Sequence, residues 1–255
     1  KAMLSTFCAR NSGTSARTAA SSSGNRTAPC ASMRSGTVKR RARGASGFGF
    51  RVVMVPPAPV ANGAPIRLRV ERQLKISGKG QIVGDNRFET PHLAQTISFS
   101  SAAQFKAYVS DPQYLALAQQ RDQGLHRMTV MAGTALDVSH IATPGQGLLE
   151  ERLYGVGLVR FKPGGSEGLD AFNLRAQALF ARHGMHVESM LEVQQTLTPV
   201  GDAVGIQPQR VVVFFLDHPA AMKGYATDPE YAALAPMRDT GLETYDFFTG
   251  GVLLP

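Results

Sequence analysis

A chain of 255 residues with 43% hydrophobic content can bury a sizeable core, as one large domain or two small ones. Its formal charge of +8 is gathered before Gly47, where nine basic residues and no acidic ones lie; the rest carries 18 basic against 19 acidic residues. A nearly neutral body lacks the surplus cation that grips a phosphate backbone, so no nucleic-acid partner is expected. No run approaches the roughly 20 apolar residues of a membrane-spanning helix, so no membrane partner is expected either.

Residues 1–46 are rich in Ser, Thr, Ala, Gly and Arg and poor in large apolar side chains. Such a stretch cannot offset the entropy of ordering, and a disordered basic tail is expected. Arg- and Ser-rich, acid-free composition is also that of organelle transit peptides. The chain would then reside in an organelle matrix or stroma, and otherwise in the cytoplasm. A non-native extension, with the start at Met33 or Met54, is the other reading. Both cysteines, Cys8 and Cys30, fall in this tail. The body therefore has no disulfide framework and no thiolate nucleophile or metal site.

Along the body, Phe50–Val55 reads as a strand. Pro65–Lys79 reads as a helix, although Ile66, Leu68 and Val70 also alternate as a strand would. A second strand begins at Gly80–Val83, and Thr96–Phe99 is a third. Phe105, Tyr108 and Val109 have helical spacing up to an Asp111-Pro112 step, where an N-cap and an N1 proline start a new helix that ends near Gly124. Met128–Met131 is a fourth strand. Tyr154–Lys162 is a strand and Leu169–His183 a helix with Leu169, Phe172, Ala176, Leu179 and Phe180 on one face. Strands over Val187–Leu197 and Val211–Leu216 follow. A helix broken at Asp228-Pro229 and a last strand over Tyr245–Phe248 end the chain.

Residues 110–125 and 227–242 repeat at an offset of 117: SDPQYLALAQQRDQGL against TDPEYAALAPMRDTGL. A period above 100 residues is too long for a solenoid, so a tandem duplicated domain is expected, with modules at 47–140 and 150–255. Each reads β-α-β-β-α-β. The expected fold is α+β: two ferredoxin-like modules whose antiparallel sheets cover each other as an intrachain α+β barrel.

The stretch Asp228-Pro229-x-Tyr231 to Arg238, before a strand that reaches Gly250, resembles the dimeric α+β barrel superfamily. Within it the likeness is to a family of small, mostly uncharacterised bacterial proteins with a similar Pro-x-Tyr…Arg helix. That superfamily includes monooxygenases, isomerases, cyclases and haem proteins. The resemblance implies cofactor-independent chemistry, with no bound cofactor, on a small aromatic or ketone-like ligand. A non-catalytic binding or assembly module is the alternative, and haem binding the least favoured. A homodimer through module sheets or edges stays open.

Four residues are the candidate catalytic groups: His186, His183, Arg238 and Tyr231. His183 and His186 are the only close histidine pair and suit general acid/base work. Gly184 between them means they need not share a face, and no metal site is expected. Tyr231, Leu234 and Arg238 share a helix stripe, as do Tyr114, Leu117 and Arg121. A phenol beside a guanidinium suits a carbonyl or carboxylate; equally, the Tyr packs under the helix break and the Arg pairs with a carboxylate. Tyr114, Arg121, Tyr225 and Tyr245 are the candidate substrate-binding residues. His218 is expected to be a local turn residue. Gly164-Gly165-Ser166-Glu167-Gly168 matches a nucleophile-elbow pattern, but the expected fold lacks the large parallel sheet that motif needs, and an N-cap serine in a glycine turn explains it.

Overall fold

The computed structural model describes residues 47–55, 68–85, 88–141, 143–202, 205 and 207–254. The tail expected over residues 1–46 lies outside them, as do the first three residues of the helix expected from Pro65. Eight strands and six helices follow in order: β1 (Gly47–Val55), β2 (Leu68–Val83), β3 (Leu93–Phe99), α1 (Ala102–Val109), α2 (Pro112–Asp122), β4 (Leu125–Leu136), β5 (Leu153–Phe161), α3 (Ser166–Arg175), α4 (Gln177–Arg182), β6 (Met185–Val200), β7 (Arg210–Leu216), α5 (Ala221–Thr227), α6 (Pro229–Thr240) and β8 (Leu242–Leu254). The strands close into one barrel in the order β1-β3-β2-β8-β5-β7-β6-β4. The fold class is thus α+β, built on an eight-stranded closed mixed barrel.

Three apolar clusters follow from the two-residue period of the strands. All eight strands send side chains into the lumen, among them Val52, Leu74, Ala94, Met131, Tyr154, Leu191, Val213 and Phe248. On the outside, α3 to α6 cover Val159, Val187, Val212 and Leu242. On the first half α1 covers Val53, Ile97, Phe99, Met128 and Val130 through Phe105 and Tyr108. Both helix pairs break where the sequence places an Asp-Pro step. Asp111 accepts from the backbone N–H groups of Gln113 and Tyr114, and Asp228 accepts from that of Glu230. Among the described residues no helix is long and apolar enough to cross a membrane.

The later strands pair antiparallel throughout, β5 with β7 and β8, and β6 with β7. β5 and β6 therefore point the same way, as a helical crossover between them requires. The earlier half differs. β1 runs parallel to both β3 and β4, while β2 is antiparallel to β3. β1 and β2 thus point in opposite directions. The all-antiparallel expectation is corrected here, and so is the helix expected over Pro65–Lys79, because Leu68–Lys79 belongs to β2.

The physical reason lies in Leu74, Ile76, Gly78 and Gly80. Leu74 and Ile76 alternate into the lumen. A Cβ at Gly80 would lie 2.1 Å from Phe247 Cζ, and one at Gly78 would lie 2.4 Å from Thr249 Oγ1, so both glycines admit side chains of the neighbouring β8. Glycine disfavours a helix interior but suits such a crossing.

Candidate functional site

Gly184 decides where the two histidines go. Its φ of +55° turns the chain between α4 and β6, in the left-handed region glycine tolerates best. A Cβ there would also lie 2.8 Å from Asp217 Oδ2. His183 stays on the outer, helix-covered side. His186 enters β6 opposite Phe215, at one mouth of the barrel. The pair is not brought together.

His183 ties two helices. Its Nε2 lies 2.8 Å from Asp228 Oδ2, the carboxylate that caps α6, and its ring stands edge-on to Tyr225. Arg182 reaches Asp228 and Glu230, each at 2.9 Å. Led by the His183 hydrogen bond, with the Glu230 N–H and Arg182 adding to it, these contacts hold the Asp228 carboxyl down at about 2, against an ordinary 3.8. A depressed folded-state value stabilises fully above 3.8 and is lost as pH falls from there towards about 2. Urea midpoints measured from pH 5 to 2 should therefore drop more steeply for the wild type than for Asp228→Asn. Parallel curves would remove this role.

His186 is 5% exposed and stacks on Phe215, with ring centroids 4.6 Å apart and 21° between planes. Its Nε2 lies 3.0 Å from Asp217 Oδ2, and its Nδ1 lies 2.6 Å from Thr143 Oγ1. A carboxylate only accepts, so Nε2 carries the hydrogen and Nδ1 offers its lone pair to the threonine hydroxyl. Asp217 Oδ1 also accepts from the Gln146 N–H at 2.7 Å, which draws the loop joining the halves onto the mouth. Arg152 lies over the same Phe215 ring at 4.7 Å. Gly145 fits against both: a Cβ there would meet Phe215 at 2.2 Å and the Arg152 guanidinium carbon at 2.9 Å. Further polar groups line this end. Arg72 pairs with Glu188 and lies 5.3 Å above the Tyr154 ring. Burial pushes the Glu188 carboxyl up, and Arg72 opposes the shift.

Asp217, Thr143, Arg152, Arg72 and Glu188 were not singled out in the sequence. They come from β2, the β4–β5 connection, β6 and the end of β7, and apart from Glu188, two residues along β6, only the fold brings them to His186. Asp217 had one readable cue, a charged residue just past the apolar run of β7.

The aromatic residues of the helix stripe do gather. Arg238 Nη1 donates to Tyr231 Oη at 2.9 Å and its Nε to Asp239 Oδ1 at 2.7 Å. The guanidinium lies over Phe172 and Tyr231, and the residue is 3% exposed. Tyr225 packs on Tyr231 at 4.8 Å. Burial drives the Tyr225 phenol far above its ordinary range and the Tyr245 phenol up to about 12. The first half repeats the bracket. Arg121 Nη1 donates to Tyr114 Oη at 3.0 Å and its Nε to Asp122 Oδ1 at 2.6 Å. Tyr231, Arg238, Tyr225 and Tyr245 thus sit between helices and sheet, apart from His186 in the mouth and from Tyr114 and Arg121 over the other half.

The glycine-serine turn has a structural explanation that differs from the one expected. Ser166 is the first residue of α3 and Gly165 is its cap, with no side-chain capping bond. His218, before α5, accepts from the Ala220 N–H and is a turn residue. An open depression of about 430 Å³ lies beside the Gly164–Ser166 turn, lined by Arg160, Lys162, Arg210 and Glu243. Its cations are engaged: Arg160 with Glu243, Arg210 with Asp170, and Lys162 with the Thr240 carbonyl. Among the described residues no cluster of three His, Cys, Asp or Glu side chains could hold a metal ion.

No family model and no curated protein matches the chain. Solved structures similar to it include the following two. One, a protein of unknown function from Rhodopseudomonas palustris, is 19% identical with a TM-score of 0.36, over 57% of this chain and 97% of that one. The other, a provisionally assigned monooxygenase from Lactobacillus acidophilus, is 13% identical with a TM-score of 0.34, over 71% of this chain and 78% of that one. Likenesses of this size carry neither mechanism nor residue roles across.

Proposed function

We propose that the chain is a small-molecule-binding barrel of the dimeric α+β type, with two ferredoxin-like halves from a tandem duplication joined in one chain. Its chemistry is cofactor-independent proton transfer on a small aromatic or ketone-like substrate, of the isomerase or cyclase kind. The observation that carries this reading is the Asp217–His186–Thr143 relay. A carboxylate fixes the imidazole tautomer, an aromatic ring fixes its plane, and the free lone pair points at a hydroxyl on an exposed loop. A substrate hydroxyl or an acidic C–H in place of Thr143 would meet that base, and Arg152 brings a positive charge to the same mouth for a developing enolate.

The test is deuterium wash-in at the α carbon of a panel of small aryl alkyl ketones, followed by NMR in D2O. Asp217→Asn keeps the shape but spoils the tautomer, and should slow exchange by about 10²–10⁴. An unchanged rate would sink the assignment. No exchange with any of the panel would favour the second reading, a non-catalytic binding or assembly module. That reading draws on both His186 nitrogens being engaged and on the twin Tyr–Arg–Asp brackets. Haem through His183 or His186 has no such observation behind it.

A further inference from the structure

The two halves hold the same Tyr–Arg–Asp bracket in different surroundings. In the later half α3 lies across α6, and Phe172 of α3 covers the Arg238 guanidinium at 4.9 Å. Leu234, midway along the stripe, packs into the apolar cluster beneath. In the earlier half no described element takes the place of α3. The side chain of Arg121 is 26% exposed against 3% for Arg238, and Leu117, the counterpart of Leu234, is 64% exposed.

The open bracket also gains a cation. Arg51 on β1 lies on the same outward side as Val53, which packs under α1. Its charge is felt by Tyr114, Arg121 and Tyr108, which lie within electrostatic reach of it. Asp122 is taken by Arg121, and among the described residues no carboxylate pairs with Arg51. Two guanidiniums therefore lie beside one phenol, and the one carboxylate shown there, Asp122, is paired with Arg121. Burial and the neighbouring Arg121 both disfavour the Arg51 charge. A bound anion would reverse that penalty. Tyr108 stacks on Tyr114 at 4.3 Å, and with the exposed Leu117 it offers flat apolar surface beside the charges.

We propose that Arg51, Arg121 and Tyr114 form an anion site on the outer face of the first half, that Tyr108 and Leu117 border it, and that it takes a carboxylate borne on an aromatic ring. The two guanidiniums bind the carboxylate, and the ring lies against Tyr108 and Leu117. The site does not depend on the relay at His186.

Benzoate titrated into the full chain by calorimetry tests it, with acetate and inorganic phosphate as separate arms. Saturable benzoate binding at least ten-fold tighter than either arm is expected. Arg51→Gln and Arg121→Gln should each weaken it ten-fold or more, and Arg51→Lys should restore only part, since it keeps charge without the fork. Thermal melts of each variant check that the fold is intact. Three results would overturn the proposal: no benzoate binding up to millimolar concentrations, affinity unchanged in Arg51→Gln, or affinity lost in Asp217→Asn instead, which would move the ligand to the barrel mouth. Phosphate binding as tightly as benzoate would overturn the aromatic preference.

Discussion

Arg238→Ala should lower the unfolding free energy by about 2–3 kcal/mol, read from urea denaturation, while Arg121→Ala should cost only about 1 kcal/mol. The two residues occupy equivalent positions and make the same hydrogen bonds, so the difference comes from burial and from Phe172, which covers Arg238. Removing Arg238 strands the Tyr231 hydroxyl at a site whose guanidinium is 3% exposed, while the Asp239 carboxylate, 37% exposed, stays hydrated. It also takes away the cation stacked between Phe172 and Tyr231. At Arg121, water reaches the groups left behind. Lysine at 238 should not rescue, because it supplies neither the planar stack nor two forked donors. Equal losses at 121 and 238 would show that α3 does not seal the second bracket.

A loss of about 3 kcal/mol is expected for Gly165→Ala, the upper end of the usual overpacking cost. A Cβ there would lie 2.0 Å from the Gly241 carbonyl oxygen, and one at Gly241 would lie 2.1 Å from that of Gly165. Backbone faces backbone at this point, so neither side can yield by a rotamer change. Gly168 is next along the same contact, where a Cβ would stand 2.6 Å from the Met237 carbonyl oxygen. The helix α3 can lie on α6 only because these positions lack side chains. Ser166→Ala should fall within about 0.5 kcal/mol, as expected of a position without a capping bond. If Ser166→Ala proved costly and Gly165→Ala harmless, the turn would have to be reread as a serine site.

These two substitutions show where sequence could be read and where it could not. The Asp-Pro steps, the stripe of Tyr231 and Arg238, and the apolar runs of β5 and β7 are local signals, and they located helices and strands within a few residues. The direction of β1 is not local. It depends on whether a helix or a turn follows Val55, and Leu68–Lys79 carries both periods until Leu74, Ile76 and two glycines meet β8. The same holds for the site. Arg238 and Tyr231 are seven residues apart and predictable as neighbours. Asp217 and His186 meet through a strand register that no short motif encodes. The glycines at 164–168 were visible, but their purpose lies in Gly241, more than 70 residues on.

Closure of the barrel gives each of the eight strands a neighbour on both sides, so no strand offers a whole edge to a second chain. It also sets an order of events during synthesis. β2 pairs with β3 along one side and finds its other partner only in β8, with Gln73 opposite Leu254 and Val83 opposite Tyr245. Until β8 has been synthesised, the nascent first half must hold this sixteen-residue strand with that side unpaired. Such a chain matures late, after slow long-range pairing, and would be a natural client of factors that shield exposed strands in the cell.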